Sequence, residues 1–221
     1  MEIIFDKSGF PMVKVIPENF WIHLWPITKI QFEFFLCDRP SSTMDANWYD
    51  RVLANNPRIT PERVTSKNYW RLFVTGVHPK DELPTFSEWN GSNYSIPTEK
   101  EWMSAYRYFS DQDAVVNLKT TLEKSGADKK MDALVPVIAQ KLELVLQNRK
   151  NGELRFSDQL LMRKGIMEWV RLLGGSSEWG GLGVPDSASG WSTSASVLQG
   201  RPEVVRVLSI GHYGSRLVRR A

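Results

Sequence analysis

The chain contains very little cysteine: Cys37 is the only one among its 221 residues. A single cysteine excludes an internal disulfide, a CxxC motif and a four-cysteine zinc site. A chain of this length can bury a core without either kind of cross-link. We therefore expect a protein of a reducing compartment, and the cytoplasm fits best.

Long apolar runs are missing as well. No stretch approaches the roughly 18 consecutive apolar residues that a membrane-spanning helix needs. The first residues, MEIIFDKSGFPMVKV, lack the basic segment and continuous apolar segment of a signal peptide. A membrane is therefore not an expected partner.

An excess of charge of one sign is also absent. The chain has 28 basic and 25 acidic residues, a net charge of +3. Apart from the tail RLVRRA, the basic residues are scattered. Nucleic acid is therefore not an expected partner either.

Residues for catalysis or metal binding are few. The three histidines, His23, His78 and His212, do not stand at metal-ligand spacing, so we expect each to be a structural residue of a strand or loop. No GxSxG motif occurs, and GGLG at 180–183 lacks the context of a nucleotide-binding loop. Cys37 follows several phenylalanines and is expected to be a small buried hydrophobe. The sequence predicts no catalytic residue, no metal ligand and no cofactor.

Tryptophan, by contrast, is abundant, with nine residues. A buried indole removes a large surface from water and needs only one hydrogen-bond partner, so a core position is the first expectation. Nine tryptophans are more than helical packing usually needs. They suit a fold rich in loops and held together by large side chains.

The N-terminal half predicts short elements. Residues 2–25 contain apolar bursts separated by glycine and proline and predict two or three short strands. Thr28 is the expected N-cap of a helix, TKIQFEFFLCD, which ends before Pro40. Residues 39–69 read as mostly irregular. YWRLFVTG is a strand candidate, and VHPKDELPTFSEWNGSN is interpreted as a loop.

A second helix is predicted in PTEKEWMSAYRYFS. Thr98 and Glu101 stand at the spacing of a capping box, in which each side chain caps the other's free N–H. An apolar face follows and is formed by Trp102, Ala105, Tyr106 and Phe109.

Residues 111–150 have another character, with no tryptophan and abundant Lys, Leu and Val. They predict a helical hairpin inserted into the domain. The expected apolar stripe of its second helix is Leu134, Ile138, Leu142 and Val145, and Pro136 should lie in the first turn or kink the helix. The hairpin either packs on its own domain or docks on a partner.

The C-terminal third carries the candidate binding residues. LMRKGIMEWVRLL predicts a strand, and the Gly/Ser-rich stretch 174–200 shows no periodicity. Two short strands are expected to flank a final Gly-His-Tyr-Gly turn. Aromatic anchors among small polar residues are typical of recognition surfaces, although these side chains could also fold back onto the core. The candidates are Trp179, Trp191, His212, Tyr213 and Arg216.

Several segments in order resemble the formylglycine-generating-enzyme or sulfatase-modifying-factor family. WPITKIQFEFFL (25–36) is similar to its Pro-Val-Thr-Asn motif and helix, and SIPTEKEW (95–102) to Arg-Leu-Pro-Thr-Glu-x-Glu-Trp. RKGIMEWV (163–170) resembles Ser-Gly-Asn-Val-Trp-Glu-Trp-Val. GGSSEW (174–179) and GSRLVR (214–219) resemble Gly-Gly-Ser-Trp and the terminal Gly-Phe-Arg.

The resemblance implies an α+β, C-type-lectin-like fold with few short strands and many loops. Residues 1–221 would form one such domain, with the helical hairpin inserted at about 111–150. Oxidising members of the family bind copper through a pair of C-terminal cysteines, whereas this chain has no cysteine after Cys37. The iron-binding histidines of another branch are also missing. Gly165 and Lys164 replace residues of the family's calcium motif, and Ser95 replaces the arginine before Leu-Pro-Thr-Glu.

Three functions are weighed. The first is a non-catalytic recognition or adaptor module, a degenerate member of the family within a bacterial regulatory or defence assembly, that binds another protein through the 111–150 hairpin or the 174–200 loop. The second is a formylglycine-generating oxidase that acts on a substrate cysteine. It requires a thiolate metal site, which one cysteine cannot supply. The third is a small-ligand or display binding protein; the absence of asparagine from 191–219 speaks against it.

Overall fold

The computed structural model describes residues 2–16, 18–38, 56, 63–65, 69–80, 82–110, 115–124, 135–146, 154–155, 167–174, 178–182 and 213–221. Within these residues the fold is α+β, with short helices and three small sheets. No helix among them is both long and apolar enough to cross a bilayer.

The strands are short. They are β1 Ile3–Phe5, β2 Pro11–Val15, β3 Phe20–His23, β4 Tyr94–Ser95, β5 Val115–Val116, β6 Leu154–Arg155, β7 Met167–Arg171, β8 Trp179–Leu182, β9 Tyr213–Gly214 and β10 Val218–Arg220. The α-helices are α1 Lys29–Asp38, α2 Glu82–Asn90, α3 Glu99–Ser110, α4 Leu118–Glu123 and α5 Val135–Leu146.

The largest sheet has five strands in the order β1-β2-β3-β10-β4, and every pair in it is antiparallel. The prediction of two or three short strands in residues 2–25 is therefore confirmed, with three strands present. One face of the sheet is apolar, because Val13, Ile22 and Val218 are neighbours in register and are fully buried. Strand β10 comes from the far end of the chain and closes the sheet between β3 and β4.

The second sheet has the order β8-β7-β9, with β9 parallel to β7. Strand β8 corrects the interpretation of 174–200 as wholly aperiodic. Gly181 in β8 lies against Tyr213, and a Cβ atom there would come within 2.2 Å of the ring. A residue without a side chain therefore lets the ring pack against the strand backbone. The rest of the Gly/Ser-rich stretch, 183–200, lies outside the described residues.

Helix α1 begins as expected. The Thr28 Oγ1 atom accepts the Gln31 N–H, and the Gln31 side chain accepts the Thr28 N–H, which completes a capping box. Phe32 and Phe35 are buried, whereas Cys37 is exposed. The prediction of a buried Cys37 is wrong because Cys37 lies two residues, about 200° of helical turn, from Phe35.

Helix α2 was not predicted, and its segment was interpreted as a loop. Leu83, Phe86 and Trp89 recur every third residue and are buried. Pro84 stands in the first turn, where a proline needs no N–H partner. Gly91, with φ +144°, follows the last helical residue and ends the helix.

The prediction of a strand in YWRLFVTG is also wrong. Tyr69–Leu72 form a 3₁₀ helix, and Phe73 makes only an isolated bridge to Thr28. Most of the predicted irregular segment 39–69 lies outside the described residues.

Helix α3 and its capping box are confirmed. The Glu101 side chain accepts the Thr98 N–H at 2.7 Å, and Thr98 Oγ1 accepts the Glu101 N–H at 3.2 Å. Trp102, Ala105 and Phe109 are buried on one face, and Tyr106 packs partly buried beside them.

The described parts of the 111–150 hairpin pack on their own domain. Leu118 of α4 and Ala139 and Leu142 of α5 are buried in the same hydrophobic cluster as Trp102 and Val218. Pro136 is the second residue of α5, so its predicted first-turn position is confirmed. Leu134 and the side chains of Ile138 and Val145 lie outside the described part.

One ion pair is buried in the core where the two larger sheets meet. Two of the three guanidinium nitrogens of Arg216 bind Glu168: Nε donates to Oε2 at 2.5 Å and Nη2 donates to Oε1 at 2.6 Å. The Trp102 indole also donates to Glu168, at 2.9 Å, and Arg216 Nη1 donates to the His23 and Leu24 carbonyls. The two side chains are 1% and 2% exposed.

We predict that Glu168→Gln lowers the free energy of unfolding by about 3–5 kcal/mol, because it leaves the Arg216 charge buried without a counter-charge. Urea unfolding followed by tryptophan fluorescence measures this. The control is Glu123→Gln, which breaks the exposed Lys119–Glu123 pair and should cost less than about 0.5 kcal/mol. Equal losses in the two variants would contradict the prediction.

Candidate functional site

The five predicted binding residues have different outcomes. Trp191 and His212 lie outside the described residues. Arg216 is a core residue, held by Glu168 as described above, so its assignment to a binding surface is wrong. The terminal Gly-Ser-Arg therefore serves the fold.

Tyr213 is also a core residue. It lies in β9 beside Met167 of β7, and its ring stacks on Trp169 with centroids 4.2 Å apart. The sequence predicted that Tyr213 lies in a turn. It lies instead in a strand, and it is only 2% exposed. Burial raises the pKa of the Tyr213 hydroxyl.

Three of the five predicted residues are described, and among these three only Trp179 reaches the surface. It begins β8 and is partly exposed. Beside it lies a groove of about 290 Å³, which we call the Trp179 groove. The side chains that define this groove are Tyr94, Ser95, Arg171, Leu173, Trp179 and Arg220.

The groove forms where the edges of the two larger sheets meet. Strand β4 is the edge of the five-stranded sheet, and β8 is an edge of the three-stranded sheet. Thr98 and Arg171 form an isolated bridge between the two regions, and the Arg171 N–H donates to the Pro97 carbonyl. The groove walls are therefore fixed by backbone hydrogen bonds.

One wall of the groove is held by hydrogen bonds from the Arg220 guanidinium. Arg220 donates to both carboxylate oxygens of Glu101, at 2.8 and 2.9 Å, and to Ser95 Oγ at 2.6 Å. Arg220 therefore ties strand β4, which holds Ser95, to the first turn of α3, which holds Glu101.

The part of the groove lining formed by Arg171, Leu173 and Trp179, which we call the rim, is more exposed. Glu178 lies 3.8 Å from Arg171 and 4.0 Å from Lys80, and all three side chains are about half exposed. Leu173, in the same rim, is 68% exposed. The rim thus presents one large apolar side chain next to a loosely held guanidinium.

Sequence reasoning missed every groove residue except Trp179. Arg171 and Leu173 lie in the segment LMRKGIMEWVRLL that predicts a strand, and nothing in that pattern marks Leu173 as exposed. Tyr94 and Arg220 lie 126 positions apart and meet only because β10 pairs with β4.

The pKa values of Glu101 and Lys29 are both lowered. Burial alone raises the Glu101 pKa, but hydrogen bonds from Arg220 and Thr98 outweigh it and hold that pKa below the ordinary carboxyl value. Burial, helped by the Arg71 charge, lowers the pKa of Lys29 to about 8. Lys29 stands in the first turn of α1, away from the groove, so its shift does not add to the site.

Metal chemistry finds no support among the described residues, in which no three His, Cys, Asp or Glu side chains cluster. His23 lies in β3, where its Nε2 is 3.0 Å from Asp6 and its Nδ1 accepts the Leu217 N–H. This ring serves the structure. Cys37, the single thiol, does not fit the two-cysteine copper site of the resembling family.

Comparison with models of known protein families and with curated proteins gave no match.

We predict that Arg220→Gln raises the Glu101 pKa, because it removes the hydrogen bonds that stabilise the carboxylate. The sign follows from linkage: a depressed folded-state pKa stabilises the protein above the ordinary carboxyl pKa, and that contribution is lost as the pH falls through the folded value. A carboxyl-carbon NMR titration measures the shift. Arg219→Gln, which removes the same charge from the other face of the strand, should change the Glu101 titration far less.

For Lys29 we predict titration near pH 8 in the folded protein. The unfolded chain then binds more protons between that pH and the ordinary lysine range, so the free energy of unfolding rises with pH across this window. Competitive acylation at pH 8 should label Lys29 faster than the exposed Lys100. Equal labelling rates would refute a depressed pKa.

Proposed function

We propose that this chain is a non-catalytic protein-recognition module and that a segment of a partner protein binds in the Trp179 groove. The observation that carries the proposal is the rim itself. An exposed Leu173, a partly exposed Trp179 and the loosely held Arg171 adjoin there. Tryptophan and arginine are the residues that most often dominate binding energy at protein interfaces.

The proposed scaffold is C-type-lectin-like, as a degenerate member of the formylglycine-generating-enzyme-like family. Its support is that the residues quoted for the resemblance have interlocking structural roles. Glu168 and Trp169 of the Glu-Trp-Val motif contact Arg216, Trp102 and Tyr213 in the core. These residues support the fold and leave recognition to the less regular surface around them.

The alternative oxidase function requires two thiolates on copper. Cys37 is the only cysteine, and it lies exposed on α1. The recognition function needs no such ligand. The same family resemblance supports a place as a subunit of a bacterial regulatory or defence assembly.

Of the two expected surfaces, the 174–200 loop contributes Trp179 to the groove, and we favour the groove over the 111–150 hairpin. The hairpin's described apolar residues Leu118, Ala139 and Leu142 are already covered by the domain. Leu144 of α5 is exposed, but it has no neighbouring exposed aromatic residue among those described on that helix. The groove combines apolar and charged groups in one place.

Three exposed aliphatic side chains allow a matched test, because they mark three surfaces. Ile16 follows β2, Leu144 lies on α5 and Leu173 lies at the groove, with exposures of 62%, 58% and 68%. Each can be changed to Asp at little cost in stability, since none is buried. Tagged wild type and the three variants are used to capture partners from the native host, with quantitative mass spectrometry.

We expect Leu173→Asp to reduce the captured partner about tenfold or more, because a hot-spot loss of about 1.4 kcal/mol has that effect. Ile16→Asp and Leu144→Asp should retain it. Loss of the captured partner only in Leu144→Asp would contradict the groove proposal and would assign binding to the hairpin. Turnover of a cysteine-containing peptide by the copper-supplied protein would overturn the non-catalytic assignment.

A further inference from the structure

A row of alternating cationic and aromatic side chains crosses the five-stranded sheet on the face opposite Val13, Ile22 and Val218. Lys14 pairs in register with Trp21, Trp21 with Arg219, and Arg219 with Tyr94. Residues directly opposite in an antiparallel sheet project from the same face. We call Lys14, Trp21, Arg219 and Tyr94 the cation–aromatic row.

The members of the row contact one another in turn. The Lys14 ammonium lies 4.7 Å from the centre of the Trp21 ring. The Arg219 guanidinium lies 5.6 Å from the Trp21 ring and 5.9 Å from the Tyr94 ring. With neighbouring strands about 4.8 Å apart, the row is about 14 Å long. All four residues are partly exposed.

The two cations differ in how their charge is balanced. Lys14 has a carboxylate partner, because its Nζ atom lies 2.8 Å from Glu2. Arg219 contacts the two rings and has no carboxylate partner among the described residues. A guanidinium carries five N–H donors, which ring faces do not satisfy as hydrogen-bond acceptors would.

A further donor lies beside Arg219. The indole N–H of Trp21 contacts no acceptor in the described part of the chain, although the nitrogen is covered. A donor left in this state costs free energy unless a partner satisfies it. Cross-strand packing alone explains the ring contacts, but it gives neither the guanidinium nor the indole donor an acceptor among the described residues.

We propose that the cation–aromatic row binds an acidic segment of a partner protein, with a carboxylate accepting from Arg219. The charge is complementary at Arg219, and a carboxylate offers the planar acceptor pair that a guanidinium fork binds best. Nucleic acid is disfavoured because the row has only one unbalanced cation, and neutralising several phosphates needs several cations.

The row goes beyond the Trp179 groove but adjoins it. Tyr94 belongs to both, since its ring contacts Arg219 and also lines the groove. A partner segment leaving the groove past Tyr94 would meet Arg219 next. The row can still bind an acidic segment when the groove does not, so the two proposals fail separately.

The test uses fluorescence anisotropy with a labelled oligoglutamate peptide and, for comparison, a labelled oligothymidylate of equal charge. Arg219→Gln removes the unbalanced cation, and Trp21→Phe removes the indole donor while keeping an aromatic ring. Lys100→Gln is the control, because it removes the same charge from an exposed position on α3. Unchanged urea midpoints show that each variant is folded.

We expect oligoglutamate to bind the wild type more weakly as salt rises, to lose about tenfold in affinity or more with Arg219→Gln, and to lose less with Trp21→Phe. Lys100→Gln should change the affinity by less than about twofold. Equal losses in Arg219→Gln and Lys100→Gln would reduce the effect to net charge and overturn the proposal. Tighter binding of oligothymidylate, or no binding of oligoglutamate, would overturn it too.

Discussion

The pairing of Glu168 with Arg216 is the constraint on which the rest of the structure depends. The pair joins β7 of the second sheet to the segment that leads into β10 of the first, and Arg216 also binds the carbonyls at the end of β3. Trp102 brings α3 to the same carboxylate. Two charges removed from water in this way need hydrogen-bond partners, and besides each other they have the Trp102 indole and the two carbonyls.

This constraint also decides what remains for the surface. Arg216, Tyr213 and Trp169 are committed to the core, so the proposed recognition groups come from other described residues. The Trp179 groove lies where edges of the two sheets meet, and the cation–aromatic row crosses four strands of the larger sheet. Groups held on strands are positioned more firmly than groups on loops.

Local elements could be predicted where neighbouring residues decide the outcome. The capping residues Thr28 and Thr98 predicted the starts of α1 and α3, since their partners are only three residues away. The short N-terminal strands were predicted from local patterns too, whereas the α+β class followed from the family resemblance. The C-type-lectin-like assignment stays a prediction.

Long-range contacts account for the errors. The roles of Arg216 and Tyr213 depend on Glu168 and Trp169, more than 40 residues earlier, so sequence proximity placed them on a surface instead. Helix α2 was missed because Pro84 and its polar neighbours resemble a loop unless the burial of Phe86 and Trp89 is known. The groove combines residues that only the sheet topology brings together.

The position of β10 has a consequence for the order of folding. Strand β10 lies between β3 and β4, so the largest sheet has a gap between two strands until residues 218–220 are made. Arg216, which balances the buried charge of Glu168, arrives with it. Until β10 pairs, the facing edges of β3 and β4 stay unpaired, and contacts this distant in sequence form slowly. A chain cut before Arg216 would lack the strand that joins β3 to β4 and would leave both edges open to pairing with other chains.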